Sequence, residues 1–187
     1  MLEVRKLGLG DVVEIVPRRF GDDRGFFTES WSRSAMAEAG YDLDFVQDNH
    51  SYSATRDVLR GLHFQTPPAA QDKLLRVTRG SVFDVAVDIR RGSPDFGKWV
   101  GLVLSAGKGN QILIPRGFAH GFVTLEEHSE VQYKVTAPYR PDCDRSIRFD
   151  DPEIAIDWPL GGTELTLSAK DRDAPALRDA DLDHDWS

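Results

Sequence analysis

The sequence contains almost no cysteine, no excess of positive charge and no long apolar run. A single cysteine, Cys143, among 187 residues excludes an internal disulfide and suits a reducing compartment. No apolar stretch reaches the length of a signal peptide or a membrane span, so we expect a cytoplasmic protein without a membrane partner. The formal net charge of −8 lacks the basic face that nucleic-acid binding requires.

Helix signals are also scarce. Only residues 32–39 combine helix-forming side chains with a serine cap and a following glycine. Most of the chain instead consists of short alternating runs between Gly, Pro and Asp turns, at 81–90, 99–104, 111–114 and 131–136. In residues 81–90, apolar side chains at 83, 85, 87 and 89 alternate with Asp84 and Asp88. This pattern predicts an all-β sandwich or barrel with a few short helices.

The length predicts a single domain over residues 1–187, because one core of this size can bury most of its apolar surface. Residues 171–187 form an acidic tail with six Asp and two Arg. Its dense Asp and Pro175 predict a loosely attached segment.

Two stretches resemble the signatures of the cupin superfamily, a small jelly-roll barrel. They are Gly61-Leu-His63-Phe-Gln65 followed by Lys73, and Gly109 followed by Pro115-Arg-Gly-Phe-Ala-His120. Metal-binding cupins have a second His where Gln65 stands and a Glu where Lys73 stands. Because an ammonium group repels a divalent cation, we expect a barrel without a metal.

Three side chains within these strands could carry chemistry. His63 follows Arg60-Gly-Leu, and imidazole moves protons well near neutral pH. Strand alternation places Lys73 with Leu75 and Val77 on the predicted inner face, where an ammonium requires an anion such as an enolate or a phosphate. Tyr133 shares a face with two valines and is equally compatible with a core tyrosine.

Eight motifs in order closely resemble the dTDP-4-dehydrorhamnose 3,5-epimerase family, over roughly residues 3–173. They are RGFFTESW, FVQDNHS, LRGLHFQ, KLLRVTRGSVFDVAVDIRRGSPDFGKWVG, IPRGFAHGF, VQYKVT, DPEIAIDWP and LSAKD. The resemblance implies a cupin-like jelly-roll β-barrel that works as a homodimer without a metal or another cofactor. It implies an isomerase that inverts carbons 3 and 5 of dTDP-4-keto-6-deoxy-D-glucose in dTDP-L-rhamnose biosynthesis.

The resemblance also assigns roles to individual residues. His63 matches the family's base, Asp171 its acidic partner, Tyr133 the acid on the opposite side, and Lys73 the group that stabilises the enolate oxygen. The positions matching substrate contacts are Arg24, Phe27, Glu29, Gln47, Asp48, Asn49, Arg60, His120, Tyr139, Asp144 and Lys170. Residues near the N-terminus of one subunit are implied to complete the partner's site.

The chain departs from the family pattern at the positions around Tyr139. Asp144 stands where the family usually has Glu, and Ala137-Pro138 precede Tyr139 where a more polar or aromatic pair is common. The shorter carboxylate still accepts a hydrogen bond, with a different reach. None of these changes touches the implied base, acid or lysine.

Three alternatives stay open on the sequence. A mono-epimerase that inverts only carbon 3 or carbon 5 keeps the same acid and base. A non-catalytic barrel that binds a sugar nucleotide predicts the loss of His63, Tyr133 or Asp171, which are all present. A metal-dependent cupin needs a second imidazole near His63 and an acid at position 73, both of which this sequence lacks.

Overall fold

The computed structural model describes residues 2–162 and 164–186 and consists mainly of short strands. The all-β prediction is confirmed. The strands are β1 (Glu3–Lys6), β2 (Val13–Val16), β3 (Arg19–Asp22), β4 (Gly25–Thr28), β5 (Gln47–Ser53), β6 (Leu59–Gln65), β7 (Lys73–Arg79), β8 (Ser81–Asp88), β9 (Trp99–Ser105), β10 (Gln111–Ile114), β11 (Phe118–Thr124), β12 (Ser129–Val135) and β13 (Asp144–Ser146). The helices are α1 (Arg33–Glu38), α2 (Ala169–Arg172) and a 3₁₀ turn (Leu177–Asp179).

Two antiparallel sheets form the jelly roll, and the hairpin β3–β4 forms a separate small sheet. The first sheet has the strand order β1-β2-β10-β7-β12-β5, and the second has the order β13-β6-β11-β8-β9. Buried side chains from both sheets, including Leu75, Val131 and Phe122, pack into one core between them. Such closely packed facing sheets are typical of this architecture.

The outer face of each sheet is covered by a different segment. Met36 of α1 packs on Leu74 and Leu113 of the first sheet. The predicted helix is confirmed, and the Ser32 side chain accepts a hydrogen bond from the Ala35 amide at its start. On the second sheet, Val85 and Val87 of β8 face the C-terminal segment.

The acidic tail differs from the loosely attached segment that its composition predicts. Leu177 and Leu182 are almost fully buried against the second sheet, and Trp186 packs edge-on against Phe64 of β6. Apolar residues placed every few positions among the aspartates provide this attachment, and an average over composition does not detect them. No helix among the described residues is long and apolar enough to cross a membrane.

Candidate active site

A cavity of about 400 Å³ opens between the two sheets and collects most of the side chains predicted to act. The first sheet contributes Lys73 and Tyr133, and the second contributes His63 and His120. The other lining residues are Gln47, Asn49, Ser51, Arg60, Phe64, Gln65, Gln71, Phe122, Tyr139, Asp144, Ser168, Lys170 and Asp171. Residues far apart in sequence therefore line the same cavity.

His63 and His120 lie side by side because their strands pair in register at these two residues. The strands β6 and β11 approach closely at Gly61 and Gly121. A Cβ on Gly61 would lie 2.5 Å from the Gly121 Cα, and Gly61 has a φ of 133°. Only glycine tolerates this combination of conformation and contact. Gly61, two residues before His63, thus sets the distance between β6 and β11.

His63 forms a short hydrogen bond with Asp171. The distance from His63 Nε2 to Asp171 Oδ1 is 2.5 Å, and the carboxylate also accepts hydrogen bonds from the Ser168 hydroxyl at 2.7 Å and the Gly61 amide at 3.3 Å. Burial alone would raise the pKa of Asp171, but the hydrogen bonds from His63 and Ser168 hold it below its usual value. An ionised carboxylate only accepts, so Nε2 donates and the imidazole Nδ1 is the basic nitrogen.

Lys73 is buried in the cavity wall with its ammonium beside the backbone of His63. Its Nζ donates to the backbone oxygen of His63 at 3.2 Å. Burial lowers the pKa of Lys73 to about 8, although the carboxylates of Asp84 and Asp144 favour the charged form. The predicted inward orientation of Lys73 agrees with its exposure of 7%.

Asp84 is a fully buried carboxylate that contacts the cavity residue His120 and that the sequence analysis did not assign to the site. Both of its oxygens lie within 3.1 Å of His120 Nε2. Burial lowers the pKa of His120, and the charge of Asp84 opposes that effect. The sequence contains a hint of this residue, because Asp84 alternates with apolar side chains in β8. However, both faces of this strand are buried. Alternation alone therefore could not show that the acidic face points inward.

Tyr133 reaches the cavity from the sheet opposite His63. It pairs with Leu75 in the neighbouring strand and packs partly against the central core. Burial raises the pKa of Tyr133, and Arg60 nearby acts in the other direction. The phenol is therefore protonated at neutral pH and has a proton to donate.

The cavity mouth is lined by a hydrogen-bonded chain of polar side chains. Asp144 accepts hydrogen bonds from the Tyr139 hydroxyl at 3.1 Å and from the Lys170 ammonium. The Tyr139 amide donates to Gln47 at 3.0 Å. Gln65 holds the same loop, because it accepts from the Arg140 amide and donates to the Pro138 carbonyl oxygen. The residue in the position of a cupin metal ligand thus anchors the Tyr139 loop.

Comparison with known proteins shows which family the chain resembles. The family model described as dTDP-4-dehydrorhamnose 3,5-epimerase matches residues 6–179. The chain belongs to this family. A dTDP-4-dehydrorhamnose 3,5-epimerase of Pseudomonas aeruginosa is 55% identical over 181 residues, which cover 96% of this chain and 98% of that protein.

Two solved structures show the same fold with ligands of the family. The epimerase of Bacillus anthracis, with TDP and PPi bound, is 47% identical with a TM-score of 0.91, covering 94% of this chain and 99% of that one. The epimerase of Legionella pneumophila, in complex with dTDP-4-keto-L-rhamnose, is 46% identical with a TM-score of 0.91, covering 95% and 94%. Sequence and fold therefore agree on the family.

Four residues that the family resemblance assigned to substrate binding lie away from this cavity. Arg24, Phe27 and Glu29 belong to the exposed region of hairpin β3–β4, where the Arg24 side chain is 90% exposed and pairs with Asp22. Asp48 points to the outer face of β5, opposite its neighbours Gln47 and Asn49, and binds Lys134 at 2.9 Å. Strand alternation explains the orientation of Asp48.

The donor set of the cavity does not resemble a metal site. Within residues 2–162 and 164–186, no group of three or more His, Cys, Asp or Glu side chains is arranged to hold a metal ion. Lys73 extends its ammonium to the His63 backbone from the position of a cupin carboxylate.

Proposed function

We propose that this protein is an isomerase that inverts carbons 3 and 5 of dTDP-4-dehydro-6-deoxy-D-glucose to give dTDP-4-dehydro-L-rhamnose, in dTDP-L-rhamnose biosynthesis. The observation that carries the proposal is the meeting of an imidazole–carboxylate pair, an ammonium and a phenol in one cavity between the sheets. Membership of the epimerase family supports it.

His63 is the base. Carbons 3 and 5 both flank the C4 ketone, so removal of either proton gives an enolate. The lone pair of His63 Nδ1 takes the proton, and the ionised Asp171 stabilises the imidazolium that forms. Asp171 keeps the ring in the correct tautomer and does not itself become protonated.

Lys73 stabilises the enolate. The negative charge develops on the C4 oxygen, and a fixed ammonium in a buried site is an effective partner for such a charge. Its hydrogen bond to the His63 backbone keeps the ammonium next to the base. The lysine therefore serves the electrophilic role that a metal serves in other cupins.

Tyr133 is the acid that completes each inversion. His63 and Tyr133 extend from opposite sheets, so a sugar ring between them has one residue on each face. His63 removes the proton from one face, and the Tyr133 phenol returns a proton to the same carbon from the other face. The imidazolium then gives up its proton and the phenolate regains one, either by direct return between the two residues or by exchange of both with solvent, which restores the enzyme.

The nucleotide and diphosphate occupy the cavity mouth. Arg60 and Lys170 supply cationic donors for the phosphate oxygens, and the exposed ring of Tyr139 offers a surface for the thymine base. His120, held by Asp84, contacts the sugar or the phosphate, and Gln47, Asn49 and Asp144 contact the nucleotide or the sugar.

The active form is a homodimer, in which hairpin β3–β4 of each subunit completes the site of its partner. Phe20 and Phe27, which pair across this hairpin, are 52% and 70% exposed, and Phe26 on its opposite face is 60% exposed. Exposed aromatic rings on both faces favour an interface. Arg24, Phe27 and Glu29 then reach the partner's nucleotide. The protein acts in the cytoplasm, where the free thiol of Cys143 stays reduced.

The proposal is tested by incubating the protein with dTDP-4-dehydro-6-deoxy-D-glucose in D2O and following the sugar protons by NMR. We expect deuterium at both carbons 3 and 5, and conversion to dTDP-L-rhamnose when a downstream reductase is added. Deuterium at one carbon alone would indicate a mono-epimerase. Binding without exchange would indicate a sugar-nucleotide binding protein, and activity that requires zinc or iron would indicate a metal-dependent cupin.

A further inference from the structure

A buried carboxylate outside the cavity joins the ends of three strands that carry cavity residues. Asp72 immediately precedes Lys73 of β7 and is 7% exposed. Its Oδ2 accepts hydrogen bonds from Arg116 at 2.8 and 3.2 Å and from the Thr136 hydroxyl at 3.0 Å. Its Oδ1 accepts from the Arg116 backbone amide at 3.1 Å.

The partners of Asp72 belong to the segments that carry the other cavity residues. Arg116 lies in the turn before β11, the strand of His120, and Thr136 directly follows β12, the strand of Tyr133. The contact with Thr136 is reciprocal, because the Asp72 amide donates to the Thr136 Oγ1 at 2.9 Å. One side chain thus ties together three segments that meet only through folding.

The position of Lys73 depends most directly on this network. Lys73 is the first residue of β7, where it pairs with Ile114 and Val135 at the ends of the neighbouring strands. Strand ends fray unless something holds them. A lysine side chain is long and flexible, so its ammonium is only as well placed as the backbone that carries it.

We propose that Asp72, through Arg116 and Thr136, is a positioning residue that fixes the ammonium of Lys73 relative to His120 and Tyr133. This inference rests on the proposed role of Lys73 in the epimerisation. Asp72 does not line the cavity and acts through the backbone. Small displacements of a preorganised group weaken transition-state stabilisation while substrate binding at the mouth continues.

The chain offers a matched control in Asp88. This carboxylate is fully buried and also binds an arginine, accepting from the Arg90 amide at 3.0 Å and the Arg90 guanidinium at 2.6 Å, and from the Ser93 hydroxyl. These hydrogen bonds all come from within five residues of Asp88 on the same segment. Removing the charge of Asp88 disturbs a local turn and leaves the contacts of Asp72 between β7, β11 and β12 in place.

The experiment compares Asp72→Asn and Asp88→Asn by their melting temperature, kcat and KM. We expect both variants to melt at a lower temperature. Asp72→Asn should lose kcat by about tenfold or more with KM within about twofold, whereas Asp88→Asn should keep kcat within about twofold. In a Lys73→Met background, Asp72→Asn should cause no further loss of kcat, because the group that it positions is gone.

A second variant covers the case in which Asp72→Asn does not fold. Arg116→Lys keeps the charge but removes the forked contact, and we expect a smaller loss of kcat at unchanged KM. Equal kcat values in wild type, Asp72→Asn and Arg116→Lys would overturn the positioning role, as would equal losses in the Asp88 control. A wild-type protein that exchanges no sugar proton would instead overturn the proposed function and this inference with it.

Discussion

At the scale of single residues, the His63 imidazole depends on a carboxylate 108 positions away in the sequence. Asp171 is 3% exposed, and its hydrogen bonds from His63, Ser168 and Gly61 compensate for the burial of its charge. Among residues 2–162 and 164–186, no carboxylate hydrogen-bonds Tyr133, and burial raises the pKa of its phenol. The proposed base and the proposed acid therefore differ in environment as well as in residue type.

Substitution of these two residues should separate the steps of the reaction. His63→Ala should fold normally and lose both turnover and exchange of the sugar protons, because no base remains. Tyr133→Phe should also lose turnover, yet it should still exchange the carbon 5 proton with D2O, because deprotonation by His63 survives. Sugar-proton NMR in D2O measures both outcomes, with circular dichroism as a check of folding. Full activity of Tyr133→Phe on both carbons would contradict its role as the acid.

The rate should fall at high pH because Lys73 loses its charge. Burial lowers the pKa of this ammonium to about 8, so the charged form that stabilises an enolate predominates below that pH and is lost above it. We expect kcat/KM, which follows the pKa values of the free enzyme, to decline as the pH rises through about 8. In Lys73→Arg, whose guanidinium stays charged, kcat/KM should be lower but without this decline. An identical decline in both proteins would assign it to another group.

At the scale of elements, the four-residue helix α2 matters more than its length suggests. Ser168 caps the helix by accepting from the Asp171 amide at 3.1 Å, and its hydroxyl also donates to the Asp171 carboxylate at 2.7 Å. The same side chain therefore forms the helix start and orients the partner of the base. So short a helix would not form in isolation.

Ser168→Ala should therefore reduce both stability and activity. Loss of the cap should cost about 1 kcal/mol in the free energy of unfolding. Loss of the bond to Asp171 should lower kcat by about tenfold, since a hydrogen bond to a charged group contributes about 1.5–3 kcal/mol. Ser32→Ala in α1 is the matched control, because Ser32 caps a helix that packs on the outer face of the first sheet and does not line the cavity. It should reduce stability in urea unfolding and leave kcat unchanged.

The elements that the sequence predicted well are those with an unambiguous period. The helix signal at 32–39 and the alternation at 111–114 correspond to α1 and β10. Strand β8 ends at Asp88, two residues before the predicted end, because that carboxylate accepts from the Arg90 amide and begins a turn. The alternation of residues predicts a strand and separates its two faces. Whether both faces are buried depends on which other segments pack against them.

The candidate site was harder to predict from local sequence patterns than the strands were. The inward orientation of Lys73 followed from alternation, whereas the pairing of His63 with Asp171 came only from the family resemblance. Asp84 was missed because an acid on a doubly buried strand has the same local pattern as a solvated one. Contacts between distant segments depend on topology, which spacing along one strand does not encode.

At the scale of the whole molecule, hairpin β3–β4 is unlike the rest of the protein. Within the part of the chain that the structure describes, its two strands pair only with each other, and the hairpin exposes the aromatic rings of Phe20, Phe26 and Phe27. Arg19 holds its base to the barrel by donating to the backbone oxygens of Ala106 and Gly107. An anchored projection with an apolar surface fits a role in a neighbouring subunit.

A mixing experiment tests whether two subunits share each site. Arg24→Ala and His63→Ala should each be inactive or strongly impaired alone, about 10-fold or more for Arg24→Ala because a phosphate contact is lost. When the two variants are mixed and allowed to exchange subunits, the mixed dimer combines an intact Arg24 and an intact His63 in one of its two sites. We expect activity to return in that mixture. Continued inactivity, with dimers shown by light scattering, would place both residues in one subunit's site or assign Arg24 no role.

The packing of the C-terminal segment has a consequence for how the protein is made. The thirteen strands among residues 2–162 and 164–186 all end by Ser146, so the ribosome adds the residues of both sheets before it adds Ser168 and Asp171. Leu177 and Leu182, which cover the second sheet, follow later still. A nascent chain that already contains His63, Lys73 and Tyr133 thus lacks the carboxylate that hydrogen-bonds the His63 ring. The proposed site is complete only after nearly the whole chain has been made.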